Sequence, residues 1–153
     1  MAECKNIMVY VETAEGNPVK VGLEMLSPAK KLADKVTAVV IGGGVEDAAK
    51  EVAKAGADQV ICVDSEDYKE FNLDAYAQVL VELVKEENPE AVFVGGTQDG
   101  KDIAPVVAAK CNTGCASDVL DIKAEDGEVI YTCPLYGGTV LEDVKIKTTP
   151  QIA

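Results

Sequence analysis

Four short, almost purely apolar runs constrain this chain more than any other feature: Ile7-Met8-Val9-Tyr10-Val11, Thr37-Ala38-Val39-Val40-Ile41, Val60-Ile61-Cys62-Val63 and Ala91-Val92-Phe93-Val94. A strand that is apolar on both faces must be covered on both, which places it in a parallel sheet between two layers of helices. The segments between the runs carry a helical period. Tyr76, Val79, Leu80, Leu83 and Val84 share one helix face, behind Asn72 as a cap and ahead of Pro89 as a stop. Val45 to Ala55 stacks Ala48, Ala49, Val52 and Ala53, with Gly56 where a helix-ending glycine belongs. Val19 to Asp34 presents Leu23, Leu26 and Ala33, and Ser27-Pro28 predicts a kink or break within it. A fourth helix is predicted from Gly100 to Asn112, with Pro105 close enough to its start to be tolerated.

Beyond Asn112 the period changes to two. Val119 to Lys123 and Glu128 to Thr132 alternate around Asp126-Gly127, a hairpin turn pair. Thr139 to Lys147 reads as a further strand after a turn at Pro134-Leu135-Tyr136-Gly137-Gly138. The pattern specifies one α/β domain over residues 1–153, a doubly wound, mostly parallel sheet flanked by helices and closed by an antiparallel carboxyl-terminal extension.

Charge narrows the choice of partners. Acidic residues number 27 against 14 lysines, neither Arg nor His is present, and the formal net charge is −13. Such a surface repels nucleic-acid phosphates and anionic headgroups, which leaves electropositive proteins as partners. The missing His excludes Ser-His-Asp and Cys-His hydrolysis. The five cysteines are odd in number and scattered, behind a Met-Ala-Glu-Cys-Lys opening with no signal-peptide stretch; they read as reduced thiols in a cytoplasm. No apolar run is long enough to span a membrane. Cys111 and Cys115 lack a second pair or a His to complete a metal shell and read as buried thiols, so no metal is expected. Cys133, between Thr132 and Pro134 at a strand end, reads as exposed and mildly reactive.

Two glycine-rich loops follow apolar runs. At Gly42-Gly43-Gly44 the carboxylates of Glu46 and Asp47 fall in the next helical turn, where they complement the helix dipole and repel an anion, so a tight turn is expected. The candidate nucleotide loop is Gly95, Gly96, Thr97, Gly100 and Lys101, at the carboxyl end of a parallel strand, where open α/β sheets bind ligands. A Walker A loop would need Ser or Thr where Asp102 stands, which argues against phosphate hydrolysis. Three readings of the loop stay open: a nucleotide held by glycine amides and Thr97, a tight turn with Thr97 or Asp99 capping the helix, and a proton-transfer pair of Lys101 with Asp102.

Taken in order, Val94-Gly95-Gly96-Thr97, Gly100-Lys101-Asp102, Pro105, Ala108, Thr113-Gly114, Ser117-Asp118, Thr132, Pro134 and Tyr136-Gly137-Gly138, then a strand ending near Pro150, resemble the amino-terminal domain of the electron transfer flavoprotein α subunit. The Leu26 to Asp34 helix and Gly56-Ala57-Asp58 also fit, and the likeness covers nearly the whole chain. The resemblance implies an adenine-nucleotide-hydrolase-like, Rossmann-type fold and a heterodimer with a β subunit of related fold. It also implies FAD in the assembled complex, with electrons carried from flavoprotein dehydrogenases to an acceptor. In the family the FAD-binding loops belong to a further domain, absent here, so this chain alone is expected to bind no flavin and to carry no catalytic residues. Val106 and Cys133 stand where family members commonly have Arg. The partner-facing residues are expected to be Cys133, Tyr136, Gly137 and Gly138, because helices already cover the central strands. The rival reading is a stand-alone AMP- or ATP-binding module similar to universal stress proteins.

Overall fold

The computed structural model describes residues 4–153; the Met1-Ala2-Glu3 opening used in the reading of the amino terminus lies outside them. The first apolar run forms β1 (Cys4–Tyr10), followed by a small hairpin of β2 (Thr13–Ala14) and β3 (Asn17–Pro18). Then come α1 (Lys20–Leu32), β4 (Ala33–Gly42), α2 (Glu46–Lys54), β5 (Gln59–Asp64), α3 (Leu73–Glu87), β6 (Ala91–Val94) and α4 (Gln98–Lys110). The carboxyl-terminal part adds β7 (Asp121–Glu125), β8 (Glu128–Leu135), β9 (Val140–Val144) and β10 (Gln151–Ile152).

The central sheet has the order β10-β6-β1-β4-β5, and every pairing in it is parallel. Alternation along β1 sends Ile7 and Val9 into a core shared with α1 and α2, while Met8 and Tyr10 enter the core of α3 and α4. The chain runs outward through β4 and β5 and then returns to lay β6 on the other side of β1, which makes the β1/β6 boundary the switch point of the sheet. The third apolar run is not buried on both faces as expected. It forms β5 at the sheet edge, where Val60, Ile61 and Val63 are half-buried and Cys62 is exposed.

Helix ends follow the chemistry of their caps. Asn72 Oδ1 accepts from Ala75 N at 3.0 Å to start α3, and Asn88, left-handed at φ 46, ends it. Gly56 takes φ +114 just past α2, a conformation with little penalty only for glycine. The break predicted at Ser27-Pro28 does not occur. Helix α1 continues through Pro28, whose missing N–H falls opposite the Glu24 carbonyl of an exposed residue, so water can satisfy that oxygen.

The three strands β7-β8-β9 form a separate antiparallel sheet joined by the expected Asp126-Gly127 turn, with φ +53 and +79. Val129 and Tyr131 anchor it to the α1 face of the central sheet; the Tyr131 ring meets Phe93 edge-on at 6.5 Å and its hydroxyl donates to Gln151 Oε1 at 2.9 Å. The predicted turn beginning at Pro134 is too long. Strand β8 runs through Pro134 to Leu135, and only Tyr136–Gly138 turn. Proline is tolerated because Thr132 faces β7 and the residue two further on faces the same side, where β7 has already ended. The tail also does not end antiparallel: β10 returns to the central sheet parallel to β6.

Candidate functional site

At the switch point the Gly95–Lys101 segment folds as a close turn into α4. Thr97 is the helix cap, accepting from Gly100 N at 2.9 Å, and its hydroxyl donates to Glu12 Oε2 at 2.5 Å. A Cβ on Gly100 would lie 1.9 Å from the Gly95 carbonyl oxygen, so glycine there is explained by backbone approach within the protein. Lys101 pairs with Asp118 at 2.7 Å, and Asp102 points a second exposed carboxylate from the same turn. The Thr97 hydroxyl and Lys101 are thus both engaged, and Glu12 puts negative charge beside the helix start. The turn's contacts are met within the protein, with carboxylates on both polar side chains that a phosphate would use. Nor does Lys101 pair with Asp102 as a proton-transfer pair would require.

The other glycine turn has its own internal anion. Gly44 N and Val45 N donate to the two carboxylate oxygens of Asp64 at 2.8 and 2.9 Å, which occupies the amino end of α2 where a phosphate would sit. Glu12 and Asp64 were both missed in the sequence. Each follows an apolar strand directly, and a carboxylate at the carboxyl end of a parallel strand was the available signal.

Beside the Gly95 turn, α1, the start of α4 and the Cys115–Ile122 segment enclose a cleft of about 700 Å³. Its walls are mainly apolar, from Val21, Met25, Phe93, Pro105 and Leu120, with the Lys101–Asp118 pair at one side.

The other candidate residues lie at the far end of the β8–β9 hairpin. Tyr136 is 84% exposed, and Leu135, Val140 and Leu141 are exposed around it. The turn takes φ +50, +66 and +90 at Tyr136, Gly137 and Gly138, so a side chain at either glycine would be strained while open space surrounds both. Cys133 does not join them. It is only 7% exposed and packs in the core beneath the hairpin, where burial and then Glu142 and Asp118 push its thiol pKa up. Cys111 and Cys115 are half-buried, contrary to the fully buried reading. Among the described residues no three His, Cys, Asp or Glu side chains converge as a metal site, and no helix is long and apolar enough to cross a membrane.

Fold and site together define a doubly wound, Rossmann-like α/β domain in which Asp64 caps one glycine turn and Thr97, bonded to Glu12, caps the other. Residues 7–153 match the family model described as the electron transfer flavoprotein domain. The chain is 36% identical over 149 residues to the electron transfer flavoprotein subunit alpha of Clostridium acetobutylicum, covering 94% of this chain and 44% of that protein. It is 39% identical over 142 residues to the subunit alpha of Syntrophomonas wolfei, covering 93% and 45%. It is also 39% identical over 168 residues to the acryloyl-CoA reductase electron transfer subunit beta of Anaerotignum propionicum, covering 92% and 46%. The chain belongs to the electron transfer flavoprotein family, whose members are electron carriers rather than enzymes. It spans about half the length of the curated relatives it matches.

Proposed function

We propose that this chain is the structural domain of an electron transfer flavoprotein α subunit, acting in the cytoplasm. It docks a β subunit through the β8–β9 tip and supports electron transfer between flavoprotein dehydrogenases and an acceptor. The observation that carries this reading is the exposure of Leu135, Tyr136, Val140 and Leu141 together at one hairpin tip, on a chain whose charge is strongly acidic. An exposed tyrosine beside leucines on a two-strand tip is the kind of aromatic anchor enriched at protein interfaces. FAD, when bound in the assembled complex, supplies the redox chemistry. The residues of this chain contribute by presenting a rigid docking surface, and the Gly95–Lys101 turn serves architecture in place of phosphate binding.

Capture of the β subunit by the chain carrying Tyr136→Ala with Gly138→Glu tests the reading, with circular dichroism to confirm folding. The double variant is expected to bind at least about tenfold more weakly, a loss of about 1.4 kcal/mol. A folded double variant with undiminished affinity would move the interface elsewhere. The chain alone is expected to be colourless after gel filtration, whereas retained stoichiometric flavin absorbance would contradict the assignment of FAD to the rest of the complex.

A further inference from the structure

A second cleft, of about 570 Å³, opens on the other side of the switch point from the apolar one. It lies at the carboxyl ends of β1 and β4, walled by the β2–β3 hairpin, the segment leading into α3, Tyr76 of α3 and Asp99 of α4. Its volume is that of a small-molecule site. Four of the chain's seven aromatic residues, Tyr10, Tyr68, Phe71 and Tyr76, line it. So do four carboxylates, Glu12, Glu15, Glu70 and Asp99, against one cation, Lys69, whose own partner is Glu66 at 3.7 Å.

The Tyr10 ring packs in the core of α3 and α4, but its hydroxyl is not accounted for by the fold. Tyr10 is only 2% exposed, yet its hydroxyl makes no hydrogen bond among the described residues, whereas that of the neighbouring Tyr76 donates to the Tyr68 carbonyl at 2.5 Å. Among the described residues no buried polar side-chain atom is sealed off without a partner, so the Tyr10 oxygen opens into the cleft. Its electrostatic neighbours are Tyr76, Glu12 and Asp99, all lining the same space; burial and these groups raise its pKa, and the phenol stays neutral. A buried, neutral phenol facing a cavity has an O–H to donate as well as lone pairs to accept; carboxylates around it suit the O–H, and the lone pairs await a donor that the chain does not supply.

The surrounding chemistry selects that donor. Four carboxylates repel an anion, and they do not converge closely enough to hold a metal ion. A positively charged donor with an apolar body satisfies every feature at once: carboxylates for the charge, the Tyr10 oxygen for an N–H, and aromatic walls for the hydrocarbon. We propose that this cleft binds an alkylammonium group, its charge set between Glu12 and Asp99 and one of its N–H groups donating to the Tyr10 hydroxyl oxygen. The group reaches the site either as a free amine or as the lysine side chain of a bound protein. The site is independent of the docking surface on the β8–β9 hairpin.

Titration of the 153-residue chain with n-butylammonium chloride, followed by amide chemical shifts and referenced to equal potassium chloride, tests the proposal. Nα-acetyl-lysine methylamide forms the second arm, and 1-butanol, of similar size but uncharged, the control. Saturable shifts are expected at Thr13, Gly16, Gly42, Gly43 and Tyr68, with none from 1-butanol. Tyr10→Phe, which preserves the ring, is expected to weaken binding about tenfold, as loss of a hydrogen bond to a charged donor does. Glu70→Gln, on an exposed residue, is expected to weaken it about threefold. Saturation by butylammonium assigns a free amine, and saturation by the lysine derivative alone assigns a protein side chain. Shifts spread over the whole acidic surface, an equal response to 1-butanol, or binding unchanged in both variants would overturn the proposal.

Discussion

Replacing Gly100 by alanine separates an architectural glycine from one kept for a phosphate. The new Cβ would lie 1.9 Å from the Gly95 carbonyl oxygen, and a carbon in ordinary contact with a carbonyl stands about 3.3 Å away or more. The turn must therefore open by more than an ångström, and the obstacle is backbone, which cannot swing aside as a side chain can. Overpacking of this kind costs about 1–3 kcal/mol. Opening the turn also strains the Thr97 cap on Gly100 N, worth about 1 kcal/mol, while alanine's better helix propensity returns about 1 kcal/mol. The net loss of about 1–3 kcal/mol lowers the melting temperature by roughly 2–4 °C for each kcal/mol in a chain of this size. Gly96, one residue into the same loop, has nothing within 4 Å of a built Cβ, so Gly96→Ala is expected to be nearly neutral. Thermal melts followed by circular dichroism compare the two. Equal melting temperatures for Gly100→Ala and Gly96→Ala would refute the argument that internal crowding requires this glycine.

Three further outcomes follow from named contacts. Glu128 accepts from Lys145 and, at 2.8 Å, from Lys147, which holds its pKa at about 2 instead of 4.5. This pairing supports the β8–β9 sheet above pH 4.5 and is lost as the pH falls toward 2; an NMR titration should find the Glu128 midpoint near 2 and its rise when both lysines become methionine. Cys62, exposed on the edge strand, should be the first thiol modified by an aromatic disulfide reagent, whereas Cys133 should react only on unfolding; mass spectrometry of partially labelled chain reads the order. Tyr131→Phe removes the hydrogen bond to Gln151 that ties the second sheet to β10, at a cost of about 1 kcal/mol in urea unfolding, and no change at all would mean the contact is incidental.

The apolar runs made the layered α/β architecture legible because burial on both faces leaves so few arrangements. They could not reveal that β5 lies at the edge, since Val60, Ile61 and Val63 are as apolar as the residues of a central strand and only pairing order separates them. The last strand escaped notice because two residues, Gln151 and Ile152, show no period; their place is decided by pairing with Ala91 and Val92, far away in sequence. Cys133 was misread because Pro134 looked like a strand terminator. The structure keeps the proline in β8 at a point where its neighbour strand has ended, and so Cys133 stays inside. The glycines of the two loops were visible, but the carboxylates that meet them, Asp64 on the Gly44 and Val45 amides and Glu12 on the Thr97 hydroxyl, became meaningful only once the strand order brought them there.

The parallel return of β10 bears on how the domain is made. Val94 N donates to the Ala153 carbonyl and Ala153 N to the Val92 carbonyl, so Ala153 holds a strand that was synthesised some sixty residues earlier. During translation β6 therefore waits with one flank unpaired while α4 and the whole β7–β9 sheet emerge, and the buried place of Ile152 stays empty until that residue is made. A nascent chain at that stage is the species a chaperone would meet. A copy cut after Pro150 would hold it permanently, retaining every helix while exposing a bare parallel edge to its neighbours.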